Sequence, residues 1–238
     1  DIVEHIDPYV PAYKIGSGDI TWIEMVAHIA SKQKPYIMAS GASTIDDVLR
    51  AVTAGLAINQ MLCLMQCNTN YTASLENFRF IQLNVLKIYR QMFPDLVLGL
   101  SDHTPGLATV LGAVSLGARI IEKHFTDDIN RTGPDHKFSM DPTSWRDMVE
   151  RTRELEGALG CGIKQVEENE KDTVVIQRRA IRAATDLAAG TTLAREHMTM
   201  LRPCPADGLP PYHVDELIGK QLRHDINAGE HLRWIDIE

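Results

Sequence analysis

The sequence predicts an α/β fold, a parallel sheet of βα units, followed by a small β-rich module. Three observations predict it. Five short apolar runs recur with polar turns and amphipathic stretches between them, about 20 to 35 residues apart, the period of successive βα units. The runs are near-continuously apolar, as strands are when helices cover a parallel sheet. Beyond residue 173 the pattern changes to turn-then-strand phrases built on Ala-Gly pairs.

Residues 12–15 read as the first strand, with a helical stretch at 21–30. The second strand, 36–39, leads into a helix over 45–54; Ser43 or Thr44 caps it, and Asp46 and Asp47 lie in its first turn, where negative charge suits the helix dipole. The third strand spans 61–66 and its helix 75–92, the fourth 96–100 and its helix 106–116, the fifth 119–122. Pro142 and Thr143 open the last helix, which runs to 159, since proline is tolerated at a helix start. Gly55 and Gly117 fall where helices should end. A glycine- and charge-rich linker is expected over 161–173, placing the βα domain at 1–160 and the module at 174–238. Within that module the phrase from Asp186 to Leu193 is echoed from Asp225 to Leu232, sharing Asp, Ala, Gly and Leu, which predicts a pseudo-symmetric unit on tight turns.

The net charge of -8 argues against general nucleic-acid affinity, which needs a basic face. No apolar run approaches the roughly 20 residues that span a bilayer, and residues 1–5 are unlike a signal peptide, so a soluble cytoplasmic protein is expected. Cys63, Cys67, Cys161 and Cys204 have neither zinc-ribbon nor disulfide-framework spacing and read as buried thiols.

Function in a parallel βα protein sits at the carboxyl ends of the strands. Here those ends read Lys14-Ile15-Gly16-Ser17, Ser40-Gly41-Ala42-Ser43, Cys67-Asn68-Thr69-Asn70-Tyr71, Ser101-Asp102-His103-Thr104 and Glu122-Lys123-His124-Phe125-Thr126. His103 and His124 end successive strands, and strands about 5 Å apart would bring both rings to one divalent ion completed by water and substrate oxygen. The same spacing also suits two hydrogen-bonded core histidines. Lys14, Ser17, Ser40 and Ser101 form an oxyanion set for a phosphate or carboxylate. Glu122 shares its strand face with His124 and suits either a general base or a group that orients a water beside the metal. Asp135, in the loop after the fifth strand, suits sugar hydroxyls or a plain turn beside Gly133 and Pro134.

Lys-Ile-Gly-Ser at 14–17, Leu-Ser-Asp-His-Thr at 100–104, Glu-Lys-His-Phe-Thr at 122–126 and Gly-Pro-Asp at 133–135, in this order, resemble the sialic acid synthase family, whose members make N-acetylneuraminate, legionaminate and pseudaminate. The C-terminal stretch, with Ile218-Gly-Lys220, resembles the family's SAF or antifreeze-like domain. The resemblance implies a (β/α)8 TIM barrel, of which about strands 4–8 are read here and the first three βα units lie outside, carrying part of the substrate set. It implies condensation of phosphoenolpyruvate with an N-acylated amino sugar, N-acetylmannosamine or a diacetamido hexose, giving a nonulosonic acid and phosphate. By the same resemblance His103 and His124 hold a divalent metal, Mn2+ with Mg2+ or Co2+ as alternatives, and Glu122 stands beside it. Lys14, Ser17, Ser40 and Ser101 hold phosphoenolpyruvate, while Tyr71 and Asp135 face the sugar. Thr69 stands where the family often has asparagine, with Asn68 and Asn70 on either side. Arg202 matches an arginine inserted into the partner subunit's site, which implies a domain-swapped homodimer. Two other readings share some of these features. A phosphoenolpyruvate-condensing synthase of deoxy-sugar acids such as KDO 8-phosphate shares the anion set but lacks the SAF module, and a non-catalytic carbohydrate-binding protein needs no metal.

Overall fold

A computed structural model describes residues 2–238. They divide into two compact units that meet between Gly162 and Ile163.

The first unit opens with a short helix, α1 (Ile2–Ile6), and then alternates strand and helix: β1 (Tyr13–Ile15), α2 (Ile23–Ser31), β2 (Tyr36–Ala39), α3 (Ile45–Leu56), β3 (Leu62–Cys67), α4 (Val85–Met92), β4 (Val97–Asp102), α5 (Ala108–Ser115), β5 (Ala118–Lys123) and α6 (Pro142–Leu159). All four strand pairs are parallel and the order is β1-β2-β3-β4-β5. Successive side chains point to opposite faces of a strand. One face carries Ile15, Met38, Leu64, Leu98 and Leu100 against Val26, Val48, Val52 and Leu86 of the helices. The other carries Ala39, Cys63, Met65 and Cys67 with Ile37 and Ile120.

The sheet is strongly curled. In a flat sheet four steps of about 4.8 Å would set β1 and β5 roughly 19 Å apart, farther than a lysine and a glutamate reach together. Yet Lys14 of β1 meets Glu122 of β5 at 2.9 Å. Among the described residues the two outer strands do not pair with each other, so the closed eight-stranded barrel is not formed by them. What they form is a curved five-stranded parallel α/β sheet.

Local chemistry accounts for the helix starts. Thr44, not Ser43, caps α3: its hydroxyl accepts from the Asp47 amide and the Asp47 carboxylate accepts from the Thr44 amide. Asp141 caps α6 reciprocally with Ser144, with Pro142 as the first helical residue. Gly117, at φ +94°, closes α5 in the left-handed conformation that glycine adopts without strain. Gly55 does not end α3, which continues to Leu56; a Cβ there would lie 2.4 Å from the Tyr36 hydroxyl, so the residue is a point of close packing. The helix expected over 75–92 is two pieces, a 3-10 run Leu75–Phe80 and α4, separated by Gln82 at φ +53°. Cys63, Cys67 and Cys204 are buried as expected, and Cys161 is exposed.

In the second unit α7 (Lys171–Gln177) begins inside the stretch read as linker. It is followed by the antiparallel pair β6 (Ala180–Ala183) and β7 (Met198–Leu201), and by α8 (Val214–Leu217). Ile181, Leu193, Leu217, Leu222 and Leu232 form its core. The echoed phrases form paired turns with isolated bridges rather than strands. Asp186 accepts from the Ala228 amide at 2.7 Å, and Asp225 accepts from the Ala189 amide at 2.8 Å. Leu187 and Ile226 exchange both backbone hydrogen bonds. Each phrase therefore completes the other's turn. Among the described residues no helix is long and apolar enough to cross a membrane.

Candidate active site

The carboxyl ends of β3, β4 and β5 gather four rings. His103 and His124 each follow the last residue of their strands, and their ring centroids lie 5.1 Å apart. Tyr71 packs at 4.2 Å from His103 and 5.8 Å from His124, and the buried Phe138 lies 5.0 Å from His124. The His103 Nδ1 lies 2.9 Å from the Asn68 carbonyl oxygen. A carbonyl only accepts, so Nδ1 carries a proton, and Nε2 is the nitrogen that would ligate a metal in the neutral tautomer. His124 has its pKa held below the ordinary 6.5 by burial first and by the neighbouring His103 second. The lowered value favours the neutral His124 imidazole, the form that binds metals.

Among the described residues no three His, Cys, Asp or Glu side chains converge on one point. The chain thus offers two imidazoles, and other ligands of an ion there would come from water or substrate. Asp135 reaches the rim, its carboxylate 3.6 Å from His124 Nδ1, and its side chain is half exposed.

Lys14 and Glu122, expected to serve a phosphate and a proton transfer separately, are paired with each other. Both remain partly open to solvent, so the pair is exchangeable rather than locked. Ser101 is buried directly across the strand register from Glu122. Ser17 accepts from the Gly41 amide at 3.0 Å. Thr69 Oγ1 lies against Gly41, close enough that a Cβ on Gly41 would sit 2.0 Å from it, and this oxygen is buried without a hydrogen-bond partner. Such an orphan is rare in folded proteins and marks a place where a bound group can complete the set.

Ser40 departs from the expected anion set. Its hydroxyl is turned to the helix side, donating to the Met65 carbonyl at 2.9 Å and accepting from the Tyr89 hydroxyl at 2.8 Å. Arg202 belongs to the second unit, where its Nε donates to the Gln177 carbonyl.

Sequence reasoning missed Asp102, Thr104, Thr109 and Lys123. Lys123 Nζ meets Asp102 Oδ2 at 2.7 Å, with both side chains wholly buried. Alternation held the signal. If Glu122 faces the mouth, Lys123 faces the helices, and a charge there requires a partner.

A parallel βα sheet with titratable groups gathered at its carboxyl end is the architecture of a small-molecule site. Residues 1–164 match the NeuB family and residues 178–238 match the SAF domain. The chain belongs to the NeuB family. It is 35% identical over 234 residues to the N,N'-diacetyllegionaminic acid synthase of Legionella pneumophila, covering 96% of this chain and 64% of that protein. It is 32% identical to the N-acetylneuraminate-9-phosphate synthase of Mus musculus, covering 90% of this chain and 58% of that protein. The crystal structure of the N-acetylneuraminic acid synthetase of Leptospira borgpetersenii superposes with a TM-score of 0.63 at 26% identity, covering 70% of this chain and 57% of that one. The chain therefore spans less than two thirds of the length of these relatives.

Proposed function

We propose that this chain carries the catalytic groups of a synthase that joins phosphoenolpyruvate to an N-acylated amino sugar, releasing phosphate and a nonulosonic acid. The observation that carries the reading is the pair of imidazoles 5.1 Å apart beside an exchangeable Lys14–Glu122 pair. The names of the relatives support it, since both are synthases of nonulosonic acids. They differ in product, so the acceptor is proposed only as the class of N-acetylmannosamine and the diacetamido hexoses.

In this reading His103 Nε2 and the neutral His124 hold a divalent cation, with Mn2+ as first choice and Mg2+ or Co2+ as alternatives. A cation bound there supplies Lewis-acid polarisation of the sugar aldehyde. Lys14 leaves Glu122 to pair with the anionic enol ester, and Ser17, Ser101 and Thr69 supply hydroxyls around it. The enol ester's C3 attacks the aldehyde carbon. Glu122, freed from Lys14, takes a proton from the water that adds to the resulting cationic C2. Glu122 passes that proton to the alkoxide left at the former aldehyde carbon, and collapse of the tetrahedral centre forms the C2 carbonyl and breaks the C–O bond to phosphate, which leaves with the C2 hydroxyl proton. Tyr71 and Asp135, on the rim, orient the sugar. Arg202 completes the site of a partner subunit in a domain-swapped homodimer, and the enzyme works in the cytoplasm.

Mass spectrometry of products from phosphoenolpyruvate and a panel of N-acylated amino sugars, with Mn2+ or with EDTA, tests the reading. A nonulosonic acid formed only with the metal, and lost in His124→Ala, is the expected result. Full turnover in EDTA, or with His124→Ala, overturns it.

A further inference from the structure

His103 and His124 lie one residue beyond the last paired positions of their strands, since the β4–β5 register ends at Asp102 opposite Lys123. Strand pairing therefore does not fix them. A separate bond network does, and it sits on the helix-covered face, away from the mouth. Lys123 Nζ donates to Asp102 Oδ2 at 2.7 Å, to the Thr104 carbonyl at 2.6 Å and to the Gly106 carbonyl at 2.9 Å. Asp102 also accepts from the Thr104 amide at 3.1 Å, from the Thr104 hydroxyl at 2.9 Å and from Thr109 Oγ1 of α5 at 2.6 Å. The residues on both sides of His103, Asp102 and Thr104, are thus tied to the residue just before His124. The His124 carbonyl is held in turn by the Met140 amide at 2.8 Å.

A buried ion pair is a poor source of stability, because apolar residues of similar volume usually serve as well. What it supplies here is a fixed geometry between two strand ends. A change of direction by the backbone of either residue would swing its ring by more than the tolerance of a ligand sphere, which is about 0.5 Å.

We propose that Asp102 and Lys123 are positioning residues whose buried ion pair sets the separation of His103 and His124 and thereby the affinity for a divalent cation. The proposal rests on the reading of those two imidazoles as cation ligands. Neither Asp102 nor Lys123 touches the cation or the substrate.

Titration of Mn2+ into the chain, followed by calorimetry and by the electron-paramagnetic-resonance signal of the free ion, tests it. Asp102→Asn combined with Lys123→Met removes both charges together and keeps side-chain size. The folded double variant, identified by a cooperative urea transition, should bind Mn2+ about tenfold or more weakly, the cost typical of losing outer-shell support. Unchanged affinity in that folded variant overturns the clamp. If the double variant does not fold, Thr109→Val removes one bond to Asp102, and a partial loss of about threefold, short of that tenfold cost, is expected; unchanged affinity there overturns the clamp equally. His103→Ala separates the two levels. Retained binding in His103→Ala, or no binding by the unaltered chain, removes the ligand reading beneath the proposal, whereas lost binding in His103→Ala supports it.

Discussion

Splitting the Asp102–Lys123 pair should cost far more than deleting it. Both side chains are wholly buried. Removing one member of a buried pair typically costs about 3–5 kcal/mol, because a charge is left without its partner. Lys123→Met leaves a carboxylate that keeps the Thr104 amide and the Thr104 and Thr109 hydroxyls as donors, so its cost belongs at the low end, about 3 kcal/mol. Asp102→Asn leaves an ammonium facing two carbonyls and an amide, with no counter-charge, and about 4 kcal/mol is expected. Asp102→Asn with Lys123→Met should cost less than either single change. Urea unfolding in a Trp234→Phe background provides the assay, because the remaining Trp22 and Trp145 both report the first unit. If the double variant loses as much as the two singles added together, the residues are not energetically coupled and the account of this network is wrong.

Three further outcomes follow from the site. His124 has a folded pKa below 6.5, so its contribution to stability is fully present above 6.5 and is lost as the pH falls through the lower folded value. From about pH 7.5 to about pH 5 the unaltered chain should therefore lose more stability than His124→Gln, and equal losses in urea midpoints would count against the half-buried neutral ring. Gly41→Ala would place a methyl 2.0 Å from Thr69 Oγ1 and 2.8 Å from Ser17 Oγ; overpacking of about 1–3 kcal/mol is expected, with weaker phosphoenolpyruvate binding by calorimetry, and Thr69→Ala should restore part of the stability. Tyr89→Phe deletes one buried hydrogen bond to Ser40, which keeps its bond to Met65, so the loss should be near 1 kcal/mol by urea titration; a cost above about 3 kcal/mol would mean that the hydroxyl supports more than this one contact.

The five strands were legible because covered parallel strands are apolar throughout, and each lies within two residues of its expected bounds. The site histidines were legible because they end neighbouring strands. What escaped depended on contacts far apart in sequence. The break near Gln82 is invisible to periodicity, because the 3-10 run is shaped by Asn77, whose buried side chain donates to Asn70 and Thr72. Lys14 read as a partner for a bound anion and Glu122 as a general base, but only the curl of the sheet reveals that they pair with one another. Ser40 looked like a mouth residue from its position after β2, and the Tyr89 hydroxyl, 49 residues away, turns it aside.

The reciprocal turns of the second unit have a consequence for how it can be divided. The Asp186 carboxylate has its amide partner in the other half, and so does that of Asp225. A single half would show water an acceptor and a donor that its own backbone has no means to match. Nicking the chain between residues 204 and 213 should therefore leave the two halves of this second unit unstructured when separated and able to reassemble when mixed, each acting as the template on which its counterpart closes.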